Sequence, residues 1–367
     1  MKFTCERSAL LKEISIAQEI IQSKNAISIL SNIYLEAQSG MLTIKSTDMK
    51  VYFDTKMPVS VEREGSTTVF GDKFLGYLNN IPDGEVEFDQ SDSKIMIKPL
   101  NKKSKFQLKS IASDKFPEFP AVDAGDFFEM PVKNFKEMIK QTVFAVSDDE
   151  TRYFMNGVFC EKQDDKIIMV GTDGRRLAYV EEAAGSGIKD FAGVIVPPKI
   201  LNLVQKRAGD EGLIGISITD KQIFVRFGTY QLSSVLIEGQ FPNYRRVIPE
   251  SQAHVFTLSR ADMIDALKRV ALLVEQKSRR IYLGVGTGQV TISSEESELG
   301  IADEEIPCSY EGGEISIALN YQYLEEPFKA MEEDEASIHF SEPNRAITIK
   351  PVPERNFFHI VMPMQID

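Results

Sequence analysis

The sequence predicts an α+β fold of three similar domains, residues 1–125, 126–250 and 251–367, each built from two strand–helix–strands units. Three observations lead there. A short strand followed by an amphipathic helix starts afresh about every 125 residues. A second strand–helix pair opens the later half of each segment. Hydrophobic residues make up 43% of the 367, enough for several packed cores in a chain whose length suits two or three domains.

In chain order, Phe3-Thr4-Cys5 leads into Leu10, Leu11 and Ile14. Phe128-Glu129-Met130 leads into Phe135, Met138, Ile139 and Val143, and Val255–Leu258 into Met263, Ile264, Leu267 and Val270. Apolar residues at i, i+3, i+4 and i+7 mark one face of a helix. Ser259, three residues before Asp262, reads as an N-cap. Strands follow at Ile33–Leu35 and Met41–Ser46, at Val158-Phe159 and Lys166–Val170, and at Ile281–Leu283 and Gln289–Ser293. The later halves open with strands at Val69–Gly71, Val194–Val196 and Ile315–Ile317. Helices follow, then alternating strands at Val86–Phe88 and Lys94–Lys98, Ile216–Ile218 and Gln222–Phe227, and Ser337–Phe340 and Ala346–Lys350. Each repeat closes near a proline: Pro117, Pro242 and Pro363.

Six such units each leave a sheet edge and an apolar helix face to be covered by a neighbour. A modular array of this kind predicts an extended, curved assembly able to close by symmetry. The plainer alternative is three α+β domains in a row.

The net charge of −13 argues, taken whole, against nucleic-acid binding. The charge is unevenly spread. The six predicted helices, 7–24, 72–80, 133–146, 199–210, 260–277 and 321–333, carry 15 basic and 12 acidic residues, so the acid sits on strands and loops. One weakly basic face on an acidic, soluble protein fits that split, and ordinary solvated helix faces fit it too. No apolar run of about 18 residues is present to span a membrane. The N-terminus has no apolar signal segment. Cys5, Cys160 and Cys308 are few, odd in number and scattered; they read as small buried hydrophobes in a reducing cytoplasm.

Catalytic patterns are absent from the sequence. His254, His339 and His359 fall in no zinc spacing, and there is neither a phosphate-binding P-loop nor a serine elbow. Gly284-Val285-Gly286-Thr287-Gly288 lies between two strands and reads as a hairpin turn. Asp148-Asp149-Glu150 reads as a solvated loop. Neither metal nor cofactor is expected.

Two stretches go beyond a generic repeat. Arg152-Tyr153-Phe154-Met155-Asn156-Gly157 is followed, after a hairpin, by Thr172-Asp173-Gly174-Arg175-Arg176-Leu177-Ala178. The second stretch is Gly239–Pro249, GQFPNYRRVIP. With Val194–Pro197, Val361–Met364 and the opening Met1–Arg7, these resemble the bacterial DNA polymerase III beta subunits, the sliding clamps. The resemblance spans the whole chain. It implies the DNA clamp fold: head-to-tail homodimers of three similar domains per subunit, closed into a ring with helices lining the hole and sheets outside. It also implies sequence-independent passage of duplex DNA, and docking of the replicative polymerase, clamp loader and repair proteins through short linear peptides. No enzyme activity is implied.

The resemblance places peptide docking at Met155, Thr172, Gly174, Arg175, Arg176, Leu177, Pro242, Arg246, Val247, Asn320, Tyr323, Ile360, Met362, Pro363 and Met364. Leu177, Val247, Ile360 and Met362 suit an apolar floor for peptide anchors, each worth roughly 1.5–3 kcal/mol when buried. Arg176 and Arg246 suit hydrogen bonds to peptide carbonyls or acids. Two departures bear on rim specificity: Arg175 stands where a histidine is common, and the chain ends Gln365-Ile366-Asp367 where a basic residue and leucine are familiar. Lys24, Arg152, Tyr153 and Lys199 are the expected DNA contacts. The subunit interface is expected where edge strand Lys103–Lys109 meets the third domain of another copy. There Phe106 and Leu108 pack on Leu272 and Leu273, and Lys103 and Lys105 face Glu296, Glu298 and Glu304. Glu295–Glu298 is expected as the acidic complementary strand. Two other classes remain open: a β-rich hydrolase using a carboxylate pair, and a structural repeat protein without DNA.

Overall fold

The computed structural model describes residues 1–21, 28–183, 188 and 190–365. Its elements are a β-α-β-β-β unit written six times. The first repeat contains β1 (Lys2–Glu6), α1 (Arg7–Ile20), β2 (Asn32–Gln38), β3 (Met41–Thr47) and β4 (Val51–Pro58), then an additional β5 (Ser60–Arg63). Its second unit is β6 (Gly65–Phe70), α2 (Gly71–Asn80), β7 (Glu85–Ser91), β8 (Lys94–Pro99) and β9 (Phe106–Ile111). The second repeat runs β10 (Phe128–Pro131), α3 (Val132–Thr142), β11 (Val158–Gln163), β12 (Lys166–Thr172), β13 (Arg176–Ala183), then β14 (Val194–Val196), α4 (Pro198–Arg207), β15 (Leu213–Ile218), β16 (Gln222–Phe227) and β17 (Tyr230–Val235). The third runs β18 (His254–Ser259), α5 (Arg260–Val270), β19 (Arg280–Gly286), β20 (Gln289–Ser294), β21 (Asp303–Pro307), then β22 (Ile315–Asn320), α6 (Tyr321–Ala330), β23 (Glu335–Phe340), β24 (Ile347–Val352) and β25 (Phe357–Val361).

Five of the six helices end earlier than their apolar spacing predicts; α2 ends at Asn80 as expected. Ile21 after α1 and Met331 after α6 are already extended. Val143–Ala145 after α3 is a 3-10 turn. After α5, Ala271 N–H still reaches the Leu267 carbonyl before the chain leaves the helix. Buried apolar side chains continue past each end, but they pack from non-helical backbone on its way back to a sheet. Ser259 does cap α5, its hydroxyl accepting from Asp262 N at 3.2 Å.

By internal contacts the chain divides into two compact units: Met1–Pro131 with Ala208–Leu236, and Val132–Arg207 with Ile237–Asp367. The central repeat is divided because each of its halves continues a neighbour's sheet. In the first unit a 13-stranded sheet runs β10-β15-β16-β17-β4-β3-β2-β6-β9-β8-β7-β1-β5. Its joint is the antiparallel pair β4–β17, from Val51↔Ser234 to Asp54↔Gln231. In the second unit an eight-stranded sheet runs β14-β11-β12-β13-β25-β24-β23-β18, jointed at β13–β25 from Arg176↔Val361 to Val180↔Phe357. A four-stranded sheet, β21-β20-β19-β22, completes that unit. Helices pack in pairs, α1 on α2, α3 on α4 with part of α6, and α5 on α6. Each buries an apolar stripe; Leu10, Ile14, Ala17 and Ile20 of α1 are fully enclosed.

The third strands β4, β13 and β21 are absent from the sequence expectations, and the first two make the joints. β4 and β13 are each paired with the last strand of the following repeat. Among the described residues β21, their equivalent in the third repeat, is paired with β20 alone.

Candidate functional site

The tightest cluster of predicted residues forms around the start of β13. Leu177 and Ile360 stand opposite each other across the β13–β25 ladder, both buried, in one core cluster with Val170, Phe241 and Tyr244. The turn leading into β13 is held by its own side chains. Thr172 Oγ1 donates to the Arg176 carbonyl at 2.6 Å and accepts from Gly174 N at 3.1 Å. Asp173 Oδ1 accepts from the backbone N–H of Arg175 at 2.8 Å and of Arg176 at 3.1 Å. Gly174 has φ +86°, a left-handed conformation that glycine adopts without cost, and the Arg152 guanidinium lies 3.1 Å from where a Cβ would stand.

Over this floor lies a cavity of about 190 Å³ lined by Met155, Thr172, Gly174, Arg176, Leu177, Pro242, Asn243, Tyr244, Val247, Ile360 and Met362. Met155, Leu177 and Ile360 are buried, whereas Val247 is 50% and Met362 42% exposed, so the floor is core and the rim is free. A second cavity, about 580 Å³, gathers Arg175, Asn320, Tyr323, Met362, Pro363 and Met364 with Gln276–Arg280 and Gln365. A third, about 410 Å³, holds Arg246, Val247 and Met362 beside the loop around Ser341–Ala346. Met362 lines all three. All fifteen predicted docking residues therefore border adjoining cavities of one compact unit. Asn243, Tyr244, Gln276–Arg280 and the Ser341–Ala346 loop were missed. Tyr244 lies within the GQFPNYRRVIP stretch, but nothing in an aromatic residue's spacing tells a wall from a core.

Arg176 is held by its neighbours within the fold. Its Nε donates to Asp173 Oδ2 at 3.1 Å and its NH2 to the Phe144 carbonyl at 2.6 Å. Its NH1 is paired with Glu326, and its guanidinium lies 4.6 Å from the centre of the Tyr323 ring. Three of its five N–H donors are thus committed, so Arg176 is fixed in place as part of the pocket wall. Asn320 spends its side-chain oxygen capping α6 at Gln322 N, 3.0 Å, which leaves its amide nitrogen as the available donor. Burial, then the Asp173 charge, raises the Tyr323 hydroxyl above the ordinary tyrosine range, so it stays a neutral donor. Arg246 is exposed on the rim.

The predicted interface residues fall on two separate edges. β9 begins at Phe106, so Lys103 and Lys105 precede the strand. β8 pairs one side of β9, while β6 pairs only Ser110 and Ile111 on the other, leaving Phe106–Lys109 unpaired there. Phe106 stacks on Tyr77 with ring centres 4.0 Å apart, and Leu108 is half-buried. Glu295–Glu298 is a correction. β20 ends at Ser294, and the acidic run that follows, Glu296 and Glu298 included, is the irregular connection closed by a Ser297–Gly300 bridge. The acidic edge strand is β21, Asp303-Glu304-Glu305-Ile306-Pro307. Glu304 belongs to it and is bound by Arg269 of α5. Beside it Leu272 is 79%, Leu299 83% and Ile301 54% exposed, and Leu273 is half-buried.

Of the expected DNA contacts, Lys24 lies outside the described residues. Arg152 donates to Asp149 Oδ2 at 3.0 Å and to the Asp173 carbonyl at 3.1 Å, beside the docking turn. Tyr153 is exposed, and Lys199 is half-buried in the first turn of α4. With their observed bounds the six helices carry 13 basic and 8 acidic residues, a stronger excess than expected. Among the described residues no cluster of three or more His, Cys, Asp or Glu is arranged to hold a metal, and no helix is long and apolar enough to cross a membrane. Cys5 and Cys160 are buried and Cys308 half-buried.

Comparison with known proteins agrees with this architecture along the whole chain. Models of the DNA polymerase III beta subunit match its N-terminal domain at residues 1–120, its central domain at 129–243 and its C-terminal domain at 245–365. The beta sliding clamp of Treponema pallidum is 47% identical over 371 residues, covering all of both chains. Solved sliding clamps of Pseudomonas aeruginosa and Bartonella birtlesii, each bound to griselimycin, superpose with TM-scores of 0.94 and 0.94 at 26% and 27% identity, again over all of both chains. The fold is thus that of the DNA clamps. The chain belongs to the DNA polymerase III beta subunit family.

Proposed function

We propose that two copies of this chain close head to tail into a ring around duplex DNA, in the cytoplasm, and hold partner proteins by short linear peptides seated at Leu177 and Met362. As a family member the chain is a DNA sliding clamp, a non-catalytic processivity subunit of a DNA polymerase. Three domains divided near residues 125 and 250 are part of this proposal.

The observation that carries it is the pattern of joints. β4 pairs with β17 and β13 pairs with β25, each the third strand of one repeat against the last strand of the next. Among the described residues β21 is paired with β20 alone, and the first repeat's last strand, β9, is unpaired on one side at Phe106–Lys109. Repeating the same joint between copies unites β21 of one with β9 of the other, twice, and the assembly closes. Basic Lys103, Lys105 and Lys109 then meet acidic Asp303, Glu305, Glu296 and Glu298, while Leu272 and Leu273 gain cover from Phe106 and Leu108.

A closed ring stays on DNA because it cannot leave without opening, so weak phosphate contacts suffice and permit sliding. The basic excess on the helices, with Lys24, Arg152, Tyr153 and Lys199, supports such contacts. A polymerase bound to the ring rebinds its primer end at high local concentration. Polymerase, clamp loader and repair proteins share the groove in turn, and the adaptable Met155, Met362 and Met364 suit a site that accepts several sequences. No metal or cofactor enters this mechanism.

The test is topological. After loading, the protein should remain on a closed circular duplex through a high-salt wash and slide off once the circle is cut. Equal loss from both would overturn the reading.

A further inference from the structure

We propose that the second cavity reads acidic residues flanking the apolar anchors of the docking peptide. This rests on the docking reading above and adds a specificity to it. The cavity collects Arg175, Lys277, Arg279 and Arg280. Arg280 is answered: its guanidinium donates to Glu295 at 3.0 Å. Arg279 meets only the neutral side-chain amide of Gln322. Arg175 and Lys277 are exposed, and among the described residues no carboxylate forms an ion pair with Arg175, Lys277 or Arg279. In a chain of net charge −13, three uncompensated cations around one hollow raise a local positive potential that an anionic ligand relieves.

The backbone points the same way. Arg279 sits at φ 55°, a left-handed conformation that a long side chain seldom adopts, and its N–H is tied to the Glu275 carbonyl at 2.8 Å. The turn thus presents its cations at the cavity mouth at some cost in backbone freedom. The choice of a peptide over a phosphate backbone rests on continuity. Met362 lines this cavity and the apolar one together, so a chain with its anchors over Leu177 runs directly past Arg175.

The experiment uses three labelled peptides with one glutamine–leucine–phenylalanine anchor segment. One has neutral flanks, one two aspartates before the anchors, one two aspartates after them. Each is titrated by fluorescence anisotropy against the full-length protein and against Lys277→Gln/Arg279→Asn, whose asparagine tolerates the positive φ. With the unsubstituted protein, one acidic flank should tighten binding about three- to tenfold over the neutral peptide at low salt. That ratio should shrink at 0.5 M salt as the charges are screened, and should fall at least twofold in the double variant, which keeps only Arg175 of the three, its fold verified by circular dichroism. Equal affinity of all three peptides for the unsubstituted protein overturns the inference while leaving the docking reading intact. A preference undiminished in the double variant assigns it elsewhere and overturns it too. Failure of even the neutral peptide to bind removes the docking reading and this inference with it. If a short duplex abolishes the acidic preference but not neutral binding, the cations serve DNA and not peptides, which also overturns it.

Discussion

The backbone N–H of Met362 donates to the carbonyl of Arg175 at 2.9 Å. This bond extends the β13–β25 ladder one step beyond Val361 and brings the C-terminal segment over the docking turn. A residue from the end of the chain thereby becomes the shared wall of three cavities. Because Met362 is anchored through its backbone and its side chain is partly free, it can be truncated without disturbing the ladder. Met362→Ala should weaken an anchored peptide by about 1–3 kcal/mol, roughly tenfold to a hundredfold, as expected of a binding hot spot. Anisotropy titration measures the affinity and sedimentation the assembly. Unchanged affinity in an intact protein removes Met362 from the groove.

The interface makes a second prediction. Leu272 is almost fully exposed, and Gly300 lies close enough to Leu273 for a Cβ there to touch it at 3.7 Å. A charge placed here would be buried in the proposed contact at a cost of several kcal/mol. Leu272→Ala combined with Leu273→Lys should sediment as a monomer at micromolar concentration, with its circular dichroism unchanged. A persisting dimer would place the interface elsewhere.

His359 gives a prediction in pH. Full burial, then the nearby Arg176 charge, pushes its imidazole down from 6.5 to about 3. Its ring stays neutral, Nε2 lying 3.0 Å from Gln141 Oε1. The unfolded chain takes up the proton near pH 6.5 and the folded chain refuses it until about 3. The contribution is therefore intact above pH 6.5 and is lost on acidification, by up to about 1.4 kcal/mol for each pH unit. Urea unfolding of His359→Gln should show a shallower acid slope than the unsubstituted protein between pH 6 and 4. Parallel slopes would falsify the assignment.

The thiols should differ in reactivity. Burial pushes Cys160 and Cys5 each up to about 12, so at neutral pH both are protonated as well as enclosed. Cys308 is half-buried at the end of the β21 connection. A thiol reagent should modify Cys308 first in the native protein, and all three cysteines only after denaturation. Rapid labelling of Cys160 in the folded chain would mean that β11 opens readily.

Local chemistry was legible in the residues themselves. The period-two strand at Lys94–Lys98 and the N-cap at Ser259 follow from neighbours within a turn or a strand, and the threefold repeat from comparing stretches about 125 residues apart; Gln222–Phe227, read as alternating, buries Ile223, Phe224 and Val225 in a row because both faces of its sheet are covered there. The residues expected to dock peptides were reached through motif resemblance, and the structure lines adjoining cavities with them. What tertiary structure alone decided depends on partners far away in the chain. β4, β13 and β21 acquire their meaning from what lies beside them, since strand pairing is non-local and the alternation along one strand does not name its neighbour. The acidic Glu295–Glu298 run looks like a strand until β20 ends at Ser294. That Asp173, Phe144 and Glu326 take three of the five Arg176 donors was equally invisible, because a guanidinium's freedom depends on every acceptor that the fold brings within reach.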